Sequence, residues 1–85
     1  MDKRYLSPGQ TAAFVRALRA AERSPGTIEK YRRDVCQFAA WAGGGEVSRE
    51  RTAAWRDSLL EGGYAPVTVN SMVAAVNQFF AFLGW

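Results

Sequence analysis

Basic and amide side chains recur at helical spacing in one stretch of this 85-residue chain, SPGTIEKYRRDVCQFAAW, from Ser24 to Trp41. A helix would place Lys30, Arg33 and Gln37 on one side, together with Gly26, because they lie three and four residues apart. Lysine and arginine at this spacing can follow a phosphate backbone, and arginine can also chelate a guanine edge. A solvated helix face is the other explanation, and spacing alone favours it.

A second stretch is unusual because it contains no charged residue between Tyr64 and Trp85. If this stretch is a helix, its outer face is uncharged, and an uncharged face suits close approach to another surface, whether DNA, a partner helix or another domain. Asn and Gln can pair with adenine in a major groove, and Ser can contact a base or a phosphate. The residues expected on its outer side are small or carry neutral polar groups: Val67, Asn70, Ser71, Ala74, Gln78 and Ala81.

Residues that carry catalysis or bind metals are scarce. The chain has no histidine and a single cysteine, Cys36, so we expect no zinc site, no imidazole base and no internal disulfide. Cys36 lies beside the apolar stripe of its helix and is expected to be buried as a small hydrophobe. Glycines 43–45 lack P-loop spacing, and the carboxylates are scattered. The sequence predicts no active site, no cofactor and no metal.

The charge is unevenly distributed along a chain that is long enough for one small domain, residues 1–85. Residues 1–33 hold eight basic residues against three acidic ones, and the remainder holds three against five. This predicts one basic surface, for which nucleic acid is the usual partner and solubility the other explanation. No apolar run reaches the roughly 20 residues of a membrane span, and no signal peptide is evident, so we expect a cytoplasmic protein.

The apolar residues recur at intervals of three and four, and no useful stretch alternates with a period of two. This predicts an all-α protein, a compact four-helix bundle with helices at about residues 8–22, 25–42, 48–61 and 66–83. Serines and prolines begin these helices, and glycines end the second and third. The residues expected to face the core are Phe14, Leu18, Ala21, Ile28, Tyr31, Val35, Phe38, Ala42, Trp55, Leu59, Val69, Met72, Val73, Val76, Phe79, Phe80 and Leu83, with Thr52 as a further candidate.

The second and fourth predicted helices share a pattern, PGTI at residues 25–28 and PVTV at residues 66–69, and later apolar positions keep the same offset of 41. Two amphipathic helices that begin with proline can look alike by chance. Alternatively, the two helices are equivalent and act together on one side of the bundle. Trp41 lies one turn beyond Gln37, so it either packs under the first helix or is exposed as part of a contact surface.

Together these motifs resemble the N-terminal core-binding domain, also called the SAM-like domain, of tyrosine recombinases (phage integrases). The resemblance covers nearly the whole chain from about Ser7, and the order and spacing of the motifs make it fairly specific. Residues 24–35 with Phe38 and Trp41 are similar to the family's helix T-x-x-x-Y-x-x-D/S-x-x-x-F. The second half agrees at Val47-Ser48, Leu59, Glu61-Gly62-Gly63-Tyr64, Thr68-Val69-Asn70, Ala75-Val76, Phe79-Phe80 and Phe82-Leu83.

The resemblance implies a four-helix domain that closes with a catalytic domain as a C-shaped clamp around double-stranded DNA at a recombination site. Its second and fourth helices would lie along the major groove. The family's tyrosine nucleophile and its Arg/Lys/His set belong to the catalytic domain, so Tyr5, Tyr31 and Tyr64 are not expected to be nucleophiles. Matching the motifs position by position implies DNA contact by Gly26, Thr27, Lys30, Arg33, Val67, Thr68, Asn70 and Ser71, to which the helical spacing adds Gln37.

The resemblance further implies that residues 1–85 are part of a longer recombinase of bacterial or phage origin, with the catalytic domain after residue 85. The expected partners are the DNA, that catalytic domain and neighbouring protomers. A helical protein–protein interaction module is the alternative function, in which the uncharged face of the fourth helix and Trp41 form the contact surface.

Overall fold

A computed structural model describes residues 4–85 of the chain, and within them the predicted all-α fold is confirmed. The second helix has the predicted bounds, and the other three differ by one or two residues at an end. The four helices are α1 (Pro8–Ala20), α2 (Pro25–Ala42), α3 (Arg49–Glu61) and α4 (Pro66–Phe82).

Local capping explains where the helices begin and end. The Ser7 amide donates to Gln10 Oε1 (2.8 Å) before α1, and Ser24 Oγ accepts the Thr27 amide (3.2 Å) at the start of α2. Ser48 is the N-cap of α3 rather than its first residue. Helix α1 ends earlier than predicted because Glu22 adopts a left-handed conformation (φ 58°). Ala21, which was expected to face the core, therefore lies after the helix and is exposed.

Two adjoining clusters of buried side chains form the core. In the first, the Phe38 ring packs edge-on against Trp55, with ring centroids 5.1 Å apart, and against Phe80 at 5.7 Å. In the second, Phe14 packs against Phe79, with centroids 5.3 Å apart. Helix α2 contacts all three other helices, and α4 contacts both α2 and α3. The core therefore fixes α4 beside α2 on one flank and beside α3 on the other.

Trp41 takes neither of the two positions considered from the sequence. Its side chain is half-buried and stacks on Phe38, with ring centroids 6.3 Å apart. The guanidinium of Arg51, from α3, lies 4.6 Å above the indole ring and donates to the Ala42 carbonyl at 3.1 Å. Trp41 therefore joins the end of α2 to α3 instead of packing under α1 or forming an exposed contact surface.

The prediction that Cys36 is buried is wrong, because its side chain is exposed. The buried side of α2 instead includes Asp34, the only charged residue in the interior of the described chain. Helix α4 packs against the Asp34 side of α2, where Lys30 of α2 reaches the Ser71 carbonyl of α4. Because α4 covers that side, the buried face of α2 includes the acidic residue Asp34 and does not include Cys36.

Candidate nucleic-acid interface

Residues predicted from the two helical patterns converge on one groove between α2 and α4. We call it the α2–α4 groove. Tyr64, which precedes α4, and the buried Met72 also line it. Five of the nine residues predicted to contact DNA line this groove: Lys30, Arg33, Gln37, Thr68 and Ser71.

Lys30 links the two helices that form this groove. Its Nζ lies 2.6 Å from Asp34 Oδ2 and donates to the Ser71 carbonyl oxygen at 3.2 Å. The Asp34 side chain is only 4% exposed, whereas that of Lys30 is 32% exposed. Lys30 and Ser71 are 41 residues apart, so the sequence offset between the two helices appears here as a direct contact. The ammonium group therefore positions α4 against α2 as well as adding positive charge to the groove.

Asp34 was not among the residues predicted to contact DNA, although it occupies the D/S position of the motif T-x-x-x-Y-x-x-D/S-x-x-x-F. Its spacing of four from Lys30 is the signal that predicts the pair, because residues four apart are neighbours on a helix. A carboxylate that is nearly fully buried needs a charged or hydrogen-bonding partner, and Lys30 supplies it.

Arg33 and Arg32 differ in how far their charges are compensated. The Arg32 Nε donates to Glu29 Oε2 at 2.9 Å, and this pairing lowers the pKa of Glu29 and raises the pKa of Arg32. Arg33 has only a long contact, 3.9 Å from its Nε to Asp34 Oδ1, and its side chain is 64% exposed. Arg33 is therefore the cation of the groove that is most available to an anionic ligand.

A side-chain hydrogen bond spans the α2–α4 groove. Gln37 Nε2 donates to the Tyr64 hydroxyl oxygen at 3.1 Å, and both side chains are exposed. This bond holds the predicted residue Gln37 toward the segment that precedes α4. Its amide oxygen and the Tyr64 hydroxyl proton remain able to bond an external group.

The other four predicted residues do not line the groove. Gly26 and Thr27 lie in the first turn of α2, where the Thr27 hydroxyl accepts a hydrogen bond from Ser24 Oγ at 2.9 Å. Val67 and Asn70 lie in the first turns of α4, and both are exposed. The first turns of α2 and α4 carry no acidic residue, so the positive end of each helix dipole is not offset locally.

The outer face of α4 lies as the sequence predicts at five of its six positions, and the sixth, Ser71, is half-buried in the α2–α4 groove. Val67 is 81% exposed, and Asn70, Ala74, Gln78 and Ala81 are exposed as well. The small, uncharged side chains allow the backbone of α4 to approach another surface without the desolvation cost that charged residues carry.

Neither a metal cluster nor a membrane span is found in residues 4–85. No group of three or more His, Cys, Asp or Glu side chains in this part of the chain could hold a metal ion. Among the helices described, none has the length and apolar content that crossing a membrane would require.

Comparison with known protein families gives a match over most of the chain. The model of the family described as "Phage integrase, N-terminal SAM-like domain" matches residues 11–85. No curated protein matches the chain, and no solved structure does. The family match confirms the resemblance that the sequence motifs carry, and it agrees with the all-α fold.

Proposed function

The chain belongs to the family of phage integrase N-terminal SAM-like domains, and from this membership we propose that it is the DNA-binding domain of a tyrosine recombinase. In this proposal α2 and α4 hold duplex DNA at the recombination site. The domain contributes affinity and positioning, while strand cleavage and transfer belong to a catalytic domain outside these 85 residues. That domain and neighbouring protomers on the DNA would be its protein partners.

One observation carries the proposal: an exposed and largely uncompensated arginine lies beside a helix face without charge. Arg33 would contact a phosphate, since arginine binds phosphate oxygens through charge-assisted hydrogen bonds. Asn70 and Ser71 of α4 would reach the floor of the major groove with neutral donors and acceptors. Lys30 would keep α4 at the correct distance from α2 through its bonds to Asp34 and the Ser71 carbonyl.

The test is binding of a fluorescently labelled duplex of about 20 base pairs, a length that spans roughly two helical turns, at several salt concentrations. Each phosphate contact contributes about 0.9 to the slope of log affinity against log salt. Arg33→Ala is expected to lower that slope by about 0.9. Arg16→Ala removes the same charge from an exposed position on α1 and is the matched control, with an unchanged slope. An Arg33→Ala slope equal to that of the wild type would contradict the phosphate contact.

NMR locates the binding surface independently of charge. Adding duplex is expected to shift the amide signals of residues 26–37 and 67–71, which contain the predicted contacts. Shifts confined to α1 and to the loop before α3, with no shift in residues 26–37 and 67–71, would contradict the proposal.

A protein–protein interaction module is the second candidate, and the exposure of Val67 favours it. Trp41 does not contribute, because Arg51 and Phe38 cover its ring. Sedimentation at several protein concentrations separates the candidates. Self-association that is insensitive to salt, abolished by Val67→Arg and unaccompanied by DNA binding would support the module instead.

A further inference from the structure

A second groove lies on the other flank of α4, between α4 and α3. We call it the α3–α4 groove. Its walls carry three arginines, Arg4, Arg49 and Arg56, and on the α4 side it is lined by Val73 and Asn77. None of these arginines was among the residues predicted from the sequence to contact DNA.

Within residues 4–85, the arginines of the α3–α4 groove form no salt bridge with an acidic side chain. Arg49 and Arg56 lie seven residues apart, two helical turns, and therefore on the same face of α3. The acidic residues Glu50, Asp57 and Glu61 lie about 100° around the helix axis from that face. The salt bridges within residues 4–85 involve Lys30, Arg32 and Arg33, and none involves Arg4 or an arginine of α3. Helix α3 thus directs Arg49 and Arg56 to the groove, while its acidic residues lie on another side and Arg51 packs over Trp41.

Helix α4 lies between two basic grooves. Thr68 and Ser71 line one of them, and Val73 and Asn77 line the other. The outer face between these two edges is uncharged. The major groove of DNA is about 12 Å wide, admits one α-helix and is bordered by a phosphate strand on each side. A neutral helix with cations on both flanks is complementary to that arrangement of charge.

We infer that Arg49 and Arg56 contact the phosphate strand on the side of α4 opposite to Arg33. The inference rests on the proposed DNA binding and extends it to a second set of contacts from α3. With α4 in the major groove, Arg33 meets one backbone and the α3 arginines meet the other. Arg4 adds charge to the same groove, where its guanidinium lies 5.6 Å over the Trp85 ring.

Duplex binding by the 85-residue chain at several salt concentrations tests the inference. The double variant Arg49→Ala/Arg56→Ala is expected to lower the salt slope by about 1.8, which makes the affinity loss between about 50 and 200 mM salt about 12-fold smaller. Combining it with Arg33→Ala should lower the slope by about 2.7, because the contacts are with separate phosphates. Arg49→Lys/Arg56→Lys keeps both charges and should keep the slope. Both arginines are exposed, and circular dichroism verifies that each variant is folded.

The matched control is Arg16→Ala/Arg19→Ala, which removes two exposed charges from α1, in neither groove. A single strand of the same length provides a second control, since it has no second backbone to flank α4. The slope change from the α3 double variant should therefore be smaller on the single strand than on the duplex.

The outcomes separate this inference from the proposed function. If Arg33→Ala lowers the slope while the α3 double variant binds like the wild type, the inference is wrong and the proposed function stands. The α3–α4 groove would then be open to an acidic protein segment. An equal loss in the α1 control, or equal losses on duplex and single strand, would also overturn the inference. Absence of salt-dependent duplex binding by the wild-type chain would overturn both.

Discussion

The substitution Lys30→Met tests whether the buried carboxylate of Asp34 depends on its lysine partner. Methionine keeps most of the length and apolar contact of the lysine stem but removes the ammonium. The variant loses the 2.6 Å contact to Asp34 Oδ2 and the 3.2 Å hydrogen bond to the Ser71 carbonyl. It leaves Asp34, whose side chain is 4% exposed, without its main partner. We therefore expect the contact between α2 and α4 to weaken.

The size of the effect follows from burial on the two sides of the pair. Breaking a fully buried ion pair by removing one partner costs about 3–5 kcal/mol. The Lys30 side chain is 32% exposed, so water can reach part of the site and reduce that cost. We expect Lys30→Met to lower the free energy of unfolding by about 2 kcal/mol. For a domain of this size, that loss lowers the melting temperature by about 8–16 °C.

Urea unfolding at neutral pH, followed by tryptophan fluorescence and circular dichroism, measures the loss. Arg33→Met is the matched control, because Arg33 faces the same carboxylate from 3.9 Å with a side chain that is 64% exposed. Its cost should stay within about 0.5 kcal/mol. In the Lys30→Met background, Asp34→Leu should recover most of the lost stability, since replacing both members of a buried pair by apolar residues is often neutral. If Lys30→Met costs no more than Arg33→Met, the assigned role of Lys30 is wrong.

Three further substitutions test local features of α2. Gly43→Ala should destabilise the domain by about 1 kcal/mol, because Gly43 has φ 58° at the end of the helix. Gly26→Ala should stabilise the domain by about 0.5 kcal/mol, because Gly26 lies in open space in the first turn. Urea unfolding measures both changes. NMR titration of Glu29 should give a pKa below its ordinary value, and Arg32→Ala should return that pKa toward it. Because the pKa of Glu29 is lowered by folding, the pair's contribution to stability is present at neutral pH and is lost as the pH falls through the folded-state pKa. An unchanged Glu29 pKa in Arg32→Ala would contradict the assigned cause.

Helix positions were predictable from the sequence because their signals are local. Serine caps, prolines in the first turn and glycines after the last turn act within a few residues. The bounds of α2 agree with the prediction, and the late end predicted for α1 was wrong only because Glu22 takes a left-handed conformation that favours glycine. Five residues of the α2–α4 groove were also identified from the sequence, because helical spacing and the family resemblance point to them.

Other features depend on which helices pack together, and no local pattern specifies that. The packing of α4 on α2 buries Asp34 and leaves Cys36 exposed, although cysteine is the more hydrophobic of the two residues. Lys30 appears in the sequence only as a basic surface residue, yet contact with Ser71 across 41 residues gives it a structural role.

By itself, the sequence determined the all-α class, the four helices, the uncharged outer face of α4 and the resemblance to the integrase domain. The class, the helices and the uncharged face depend on composition and periodicity within one segment, and the resemblance depends on the order and spacing of motifs along the chain. The tertiary structure alone decided that α4 lies between two grooves and that Arg49 and Arg56 face the second one. It also decided that Arg51 covers Trp41. These placements depend on long-range packing of apolar surfaces, which brings together residues that are distant in the chain and share no repeating pattern.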